Sequence, residues 1–132
     1  MTDDDEAIRE VVTRWVDAVQ ACDLDGVLAH HSEDIVMFDV PPPQQGVRGM
    51  AAYRDSWAPF FDWIRTANTT FELVELNVEA GAELAFAYGL LRCGGPADLE
   101  TNPDNRLRLT MGLRKVGEQW TVVHEHHSFT MT

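Results

Sequence analysis

The chain has 132 residues, 45% of them hydrophobic and 24% charged, with a net charge of −12. That length and balance describe one ordered domain with room for a sizeable core, and they exclude a disordered chain. The negative charge opposes phosphate backbones and anionic membrane surfaces, so neither nucleic acid nor a membrane is an expected partner; its plain meaning is solubility.

Cys22 and Cys93 stand far apart with no CxxC spacing, which speaks against a disulfide scaffold or a zinc site and fits a reducing compartment. No apolar run follows a basic patch at the acidic start, and no stretch reaches transmembrane length. The expectation is a cytoplasmic domain.

The first predicted element is a helix over residues 3–22, capped by Thr2 or Asp3, with Asp3, Asp4, Asp5 and Glu6 favourably placed at its N-terminus. Ile8, Val11, Val12, Trp15, Val16 and Val19 recur at spacings of three and four and define one apolar face. Trp15 lies mid-face. It is either a core residue or one whose indole N–H reaches into a cavity, because a buried indole needs an acceptor. Asp23 caps a short second helix that ends at His30 and His31. Adjacent histidines on a helix point apart and chelate poorly, so both read as structural or solvated.

Ile35–Val40 reads as a strand ended by Pro41. Met37 and Asp39 share one face of it. A carboxylate on an otherwise apolar strand lies either at a solvent edge or in a pocket; the pocket is the reading adopted here. Pro41-Pro42-Pro43-Gln44-Gln45-Gly46 is then a stiff extended loop suited to a pocket rim.

A third helix, roughly residues 50–64, carries Tyr53, Trp57, Phe60, Phe61 and Trp63, with Pro59 as an expected kink. That aromatic density exceeds what packing on a sheet requires and suits a cavity for small apolar ligands. From residue 68 the chain reads as strands. The first, 69–78, has a phase slip near Val74 that signals a bulge. Residues 84–91, including Phe86, Tyr88 and Leu90, are apolar on both faces and read as a central strand. A polar loop spans 96–105. Next, Leu107, Leu109, Met111 and Leu113 oppose Arg108 and Thr110. Finally, strict alternation from Trp120 puts His124 and His126 on one face and Glu125 and His127 on the other. Helices first and a meander last make an α+β domain.

Asp39, the Arg108–Thr110 pair and the His124–His126 pair are the polar features to reconcile, and a sheet curling around the helices brings them to one cavity. Each has a plainer reading: a turn aspartate, a solvated arginine, hydrogen-bonded histidines. His-x-His is a metal-like spacing, but a third ligand would have to be Asp39 or Glu125, so no metal is assigned. No GxSxG elbow, phosphate loop or HExxH motif is present, and no cofactor is called for.

The segments from Arg14 to Gly26, Ser32-Glu33-Asp34-Ile35 and Phe38-Asp39-Val40-Pro41, with Trp120–Ser128 at the end, resemble the ketosteroid-isomerase and SnoaL-like branch of the nuclear transport factor 2-like superfamily. The resemblance covers nearly the whole chain. It implies a cone-shaped α+β domain, a curved mixed or antiparallel sheet wrapped round three helices with a deep pocket, and usually a homodimer. It also implies that Asp39 stands where ketosteroid isomerases keep their general base.

In register with those isomerases, Trp15 stands at the position of their first-helix tyrosine and Thr110 at or near that of their protonated aspartate, so their oxyanion hole is not retained. The resemblance marks the fold more strongly than the reaction, because this fold serves enzymes and binding modules alike.

The expected site therefore has Asp39, His124, His126 and Arg108 as catalytic groups. Trp15, Met37, Tyr53, Trp57, Phe61, Phe86, Tyr88, Leu90 and Thr110 line the pocket. The expected function is acid/base proton transfer (isomerisation, cyclisation or hydration) on an apolar carbonyl compound. The alternatives are a non-catalytic ligand-binding or sensor homodimer and, if the cavity is filled, an interaction module. With Arg108 and Thr110 turned inward, Leu107, Leu109, Met111 and Leu113 would form an outer apolar face and the homodimer interface.

Overall fold

The computed structural model describes residues 2–131. Helix α1 (Asp3–Gln20) starts at a capping box: Thr2 Oγ1 accepts from the Asp5 amide at 3.1 Å, and Asp5 reaches back to the Thr2 amide. Its buried face is Ile8, Val12, Trp15, Val16, Ala18 and Val19. Asp23 caps the short α2 (Leu24–Leu28) through the Gly26 amide. Strand β1 (His31–Phe38) and the two-residue β2 (Val47–Arg48) flank the proline loop. Helix α3 (Met50–Ala67) includes Pro59 and buries Tyr53, Trp57, Phe61 and Ile64, with Phe60 partly buried against the same core.

Strands β3 (Thr70–Ala80), β4 (Leu84–Gly94), β5 (Leu107–Val116) and β6 (Gln119–Phe129) form the meander. The predicted loop at 96–105 contains a short helix, α4 (Pro96–Thr101), with Pro96 at its first position, where a missing amide costs nothing.

All six strands make one open, curved sheet in the order β2-β1-β6-β5-β4-β3. The only parallel pair among them is β1 with β6, which brings the C-terminal ends of both strands together. The expected bulge is present: β3 slips register between Leu73 and Glu75, leaving Val74 extra. Gly89 faces that bulge, where a Cβ would lie 2.4 Å from the Glu75 carbonyl oxygen, so the opposing strand needs glycine there.

A second bulge was not foreseen. Leu113 pairs with Val122 but Gly112 pairs with His124, so Val123 is the extra residue in β6. The slip turns every later residue of β6 over. Trp120 and Val122 face the core, and so do Glu125 and His127; His124 and His126 do not.

The orientation of β5 must also be corrected. Leu107, Leu109, Met111 and Leu113 are the buried face, packed in the core, while Arg108 and Thr110 are exposed. Four aliphatic side chains on one face of a strand lose more by meeting water than two polar ones gain by leaving it. Those four residues are therefore not an outer interface.

Candidate functional site

One end of the sheet carries a cavity of about 890 Å³. Its walls come from the proline loop, from α3 through Trp57, Phe60 and Trp63, and from the strand ends at Phe71, Cys93, Leu107 and Phe129. The stiff Pro41–Pro43 segment forms rim, as its sequence suggests. The lining is mostly apolar. Asp39 enters it just past the end of β1, its side chain 29% exposed.

Asp39 does not stand alone. Its Oδ1 accepts from the Val40 amide at 2.8 Å and faces Nδ1 of His127 at 3.2 Å. His127 also lines the cavity, and its Nε2 meets Oε1 of Glu125 at 3.0 Å. The other oxygen of Glu125 meets Nε2 of His31 at 2.5 Å and accepts from the Tyr53 hydroxyl at 2.5 Å. Trp15 closes the chain, its indole N–H donating to Tyr53 Oη at 3.1 Å. The Trp57 indole N–H is buried without a hydrogen-bond partner, and its ring packs edge-on against Tyr53 at 5.8 Å between centroids.

The electrostatics follow from those contacts. Burial pushes the Glu125 carboxyl up, but hydrogen bonds and charge from His127 and His31 outweigh it and bring the group down to about 2. Burial pushes His127 down, but hydrogen bonds to Asp39 and Glu125 and their charges raise it to about 9. The two carboxylates that flank His127 thus favour its charged form. Burial, and then the Glu125 charge, keep the Tyr53 phenol well above its ordinary range, so it remains a donor. Burial and the nearby Asp39 charge push the Cys93 thiol up to about 12, which removes it as a nucleophile.

The structure sorts the expected site residues into three groups. Asp39 and Trp57 line the cavity. Trp15, Met37, Tyr53 and Phe61 are buried in the core and do not line it; Trp15 and Tyr53 instead support the polar chain behind it. Arg108, Thr110, His124, His126, Phe86, Tyr88 and Leu90 lie on the outer face of the sheet, away from the cavity. Tyr88 is 44% and Phe86 50% exposed, Arg108 donates to Ser128 Oγ, and His124 Nδ1 meets the Val36 carbonyl. For the two histidines the cause is the bulge at Val123; for Arg108 and Thr110 it is the aliphatic face of β5.

The residues missed are His127, Glu125 and His31, each a polar side chain buried on an inward face. The adjacent valines Val122 and Val123, which fit either phase of the strand, were the available signal that alternation breaks there. Among the described residues no group of three or more His, Cys, Asp or Glu is arranged to hold a metal ion. No helix among them is long and apolar enough to cross a membrane.

A curved open sheet, helices on its concave side and a pocket at one end define a cone-shaped α+β domain. The SnoaL-like domain family matches residues 8–132, and the chain belongs to that family. An NTF2-like protein of unknown function from Pseudomonas putida KT2440 is 36% identical, with 95% of this chain and 85% of that one covered and a TM-score of 0.82.

Two more distant crystal structures share the fold. One, provisionally named a ketosteroid isomerase, from Shewanella frigidimarina NCIMB 400, is 16% identical, with 90% of this chain and 92% of that one covered and a TM-score of 0.73. The other, a cystatin-like-fold protein of unknown function from Nostoc punctiforme PCC 73102, is 13% identical, with 100% and 95% covered and a TM-score of 0.72. A comparison with curated proteins finds no match.

Proposed function

We propose that this domain is a small-molecule enzyme that moves a proton on a carbon next to a carbonyl group, with Asp39 as the base. The observation that carries the reading is a carboxylate entering an apolar cavity with one oxygen already held. Oδ1 takes the Val40 amide and His127, and no hydrogen bond among the described residues falls on Oδ2. A base must present a free lone pair at a fixed position, and Oδ2 meets that requirement.

The surrounding Trp57, Phe60, Phe71 and Phe129 suit an apolar substrate body. Arg48 and Gln45 on the rim are lining donors that a carbonyl oxygen could use as it gains charge. In isomerisation the proton returns to a different carbon of the enolate. In cyclisation the enolate carbon attacks a second carbonyl of the substrate, whose oxygen takes the proton. In hydration Asp39 takes a proton from water, the hydroxide adds to the conjugated double bond, and the proton returns to the α-carbon.

The test is deuterium uptake at acidic α-carbons in heavy water, followed by NMR over cyclic enones and β-keto esters. The wild-type protein should exchange at least one class above the buffer rate. Asp39→Asn should lose about two orders of magnitude or more of that excess. Wild-type exchange at the buffer rate throughout sinks the reading.

A second reading is a homodimer that binds a ligand without turnover; the outer sheet face supports its association, and absent exchange in the test above would support its lack of turnover. There β3 presents Glu72, Glu75 and Glu79, β4 presents exposed Phe86 and Tyr88, and β5 presents Arg108 and Arg114. An acidic strip, an aromatic strip and a basic strip side by side complement a second copy turned by a two-fold axis. Sedimentation should give a dimer at micromolar concentration, and Tyr88→Asp should give a monomer. A wild-type monomer contradicts this association.

A further inference from the structure

Glu125 is an unusual core residue. It is fully buried beside Ile35, Met37 and Met111, where an aliphatic side chain would avoid the cost of desolvating a carboxylate. It is also fully satisfied. A tryptophan N–H only donates, so Tyr53 Oη accepts from Trp15, and the Tyr53 proton goes to Glu125 at 2.5 Å, the nearer neighbour against His31 Nε2 at 3.1 Å. The Ala29 carbonyl oxygen only accepts, so His31 Nδ1 donates to it, leaving Nε2 for Glu125 at 2.5 Å. Glu125 Oε1 is then left to His127.

The direction of the remaining bonds follows. Both nitrogens of His127 meet carboxylate oxygens, and an ionised carboxylate only accepts. His127 therefore donates twice and keeps no lone pair for a ligand, although it lines the cavity. The groups facing it are Asp39 beyond β1, Glu125 on β6 and, through Glu125, His31 on β1 and Tyr53 on α3. Cys93 on β4 stands near Asp39, and the Trp15 ring of α1 packs on the imidazole at 5.8 Å.

We propose that Glu125 is a positioning residue for the cavity carboxylate: anchored by His31 and Tyr53, it holds His127 as an imidazolium whose other nitrogen fixes Asp39 Oδ1 and leaves Oδ2 as the one acid/base atom offered to a ligand. A histidine without Glu125 behind it would free one nitrogen, titrate near neutrality and compete with Asp39 for the same proton. The proposal rests on the reading of Asp39 as the working group, but the two fail separately.

The full chain, labelled with 15N-histidine, is titrated by two-dimensional NMR as wild type, Glu125→Gln and Tyr53→Phe. In the wild type His127 should show both nitrogens protonated at pH 7 and a midpoint above 6.5, the ordinary imidazole value. Glu125→Gln should lower that midpoint by about one pH unit or more, a tenfold loss of proton affinity. Tyr53→Phe, which keeps the charges and removes one donor to Glu125, should lower it by less. A neutral His127 at pH 7 in the wild type overturns the proposal. So does a midpoint unmoved in both variants, or in Tyr53→Phe alone if Glu125→Gln does not fold. An Asp39→Asn protein that exchanges substrate protons like the wild type sinks Asp39 as base and leaves the His127 result standing.

Discussion

His126 and His127 are neighbours in sequence and opposites in role. His127 points inward, is 6% exposed and is held between two carboxylates. His126 points outward beside Thr110 and Phe38, in water. The same contrast divides the whole sheet: one face carries the core and a polar chain running to the cavity, and the other carries charge and exposed aromatics. A buried polar group must be paired or it costs several kcal/mol, so the inward face depends on every partner. An outward polar group has water as its fallback, so the outward face tolerates change.

Substitutions at paired positions test that contrast most directly. Glu125→Ala strips the buried carboxylate from two histidines and a phenol, and should cost about 3–5 kcal/mol in urea unfolding. His126→Ala, one residue away, should stay within about 0.5 kcal/mol. Equal losses at the two positions would erase the distinction between the faces.

The pH dependence comes next in size. His127 has a folded-state pKa raised to about 9 from 6.5, so its stabilisation is complete below about pH 6.5 and is lost as pH rises through about 9. Glu125 is lowered to about 2 from 4.5, so its contribution is complete above about pH 4.5 and is lost as pH falls through about 2. Thermal unfolding should therefore show a plateau between about pH 4.5 and 6.5, with an alkaline decline on the order of 3 kcal/mol. His127→Asn should flatten the alkaline limb, and His126→Asn should leave it in place.

Tyr53→Phe sharpens the comparison within the inner face. It removes one hydroxyl that accepts from Trp15 and donates to Glu125, and should cost about 1–3 kcal/mol by urea unfolding. The smallest effect belongs outside. Thr110→Val, on the exposed face opposite His126, should change unfolding by no more than about 0.5 kcal/mol. That figure is for the monomer; a larger loss at concentrations where sedimentation shows a dimer would report the association proposed for this face.

Local and periodic information was legible in the residue order. The stripes of α1 and α3, the Asp23 cap, the proline rim and the bulge at Val74 each follow from spacing or from a single residue's geometry. The residue order leaves Asp39 between a solvent-edge turn and a pocket, and the fold selects the cavity. The inward set Leu107, Leu109, Met111 and Leu113 was just as legible, because an aliphatic strand face belongs in the core. Grouping Arg108 and Thr110 with Asp39 and the histidines in one cavity turned that face outward in error.

The second bulge decides everything else about the site. One extra residue at Val123 exchanges the two faces of the strand beyond it, and two successive valines satisfy either phase equally well. The sequence order alone therefore leaves His124 with His126 and Glu125 with His127 interchangeable. The choice is made by pairing across β5 and β1, where His31 and Tyr53, distant along the chain, supply the donors that make a buried Glu125 tolerable. A carboxylate is buried only where such partners converge, and convergence is a property of the folded chain.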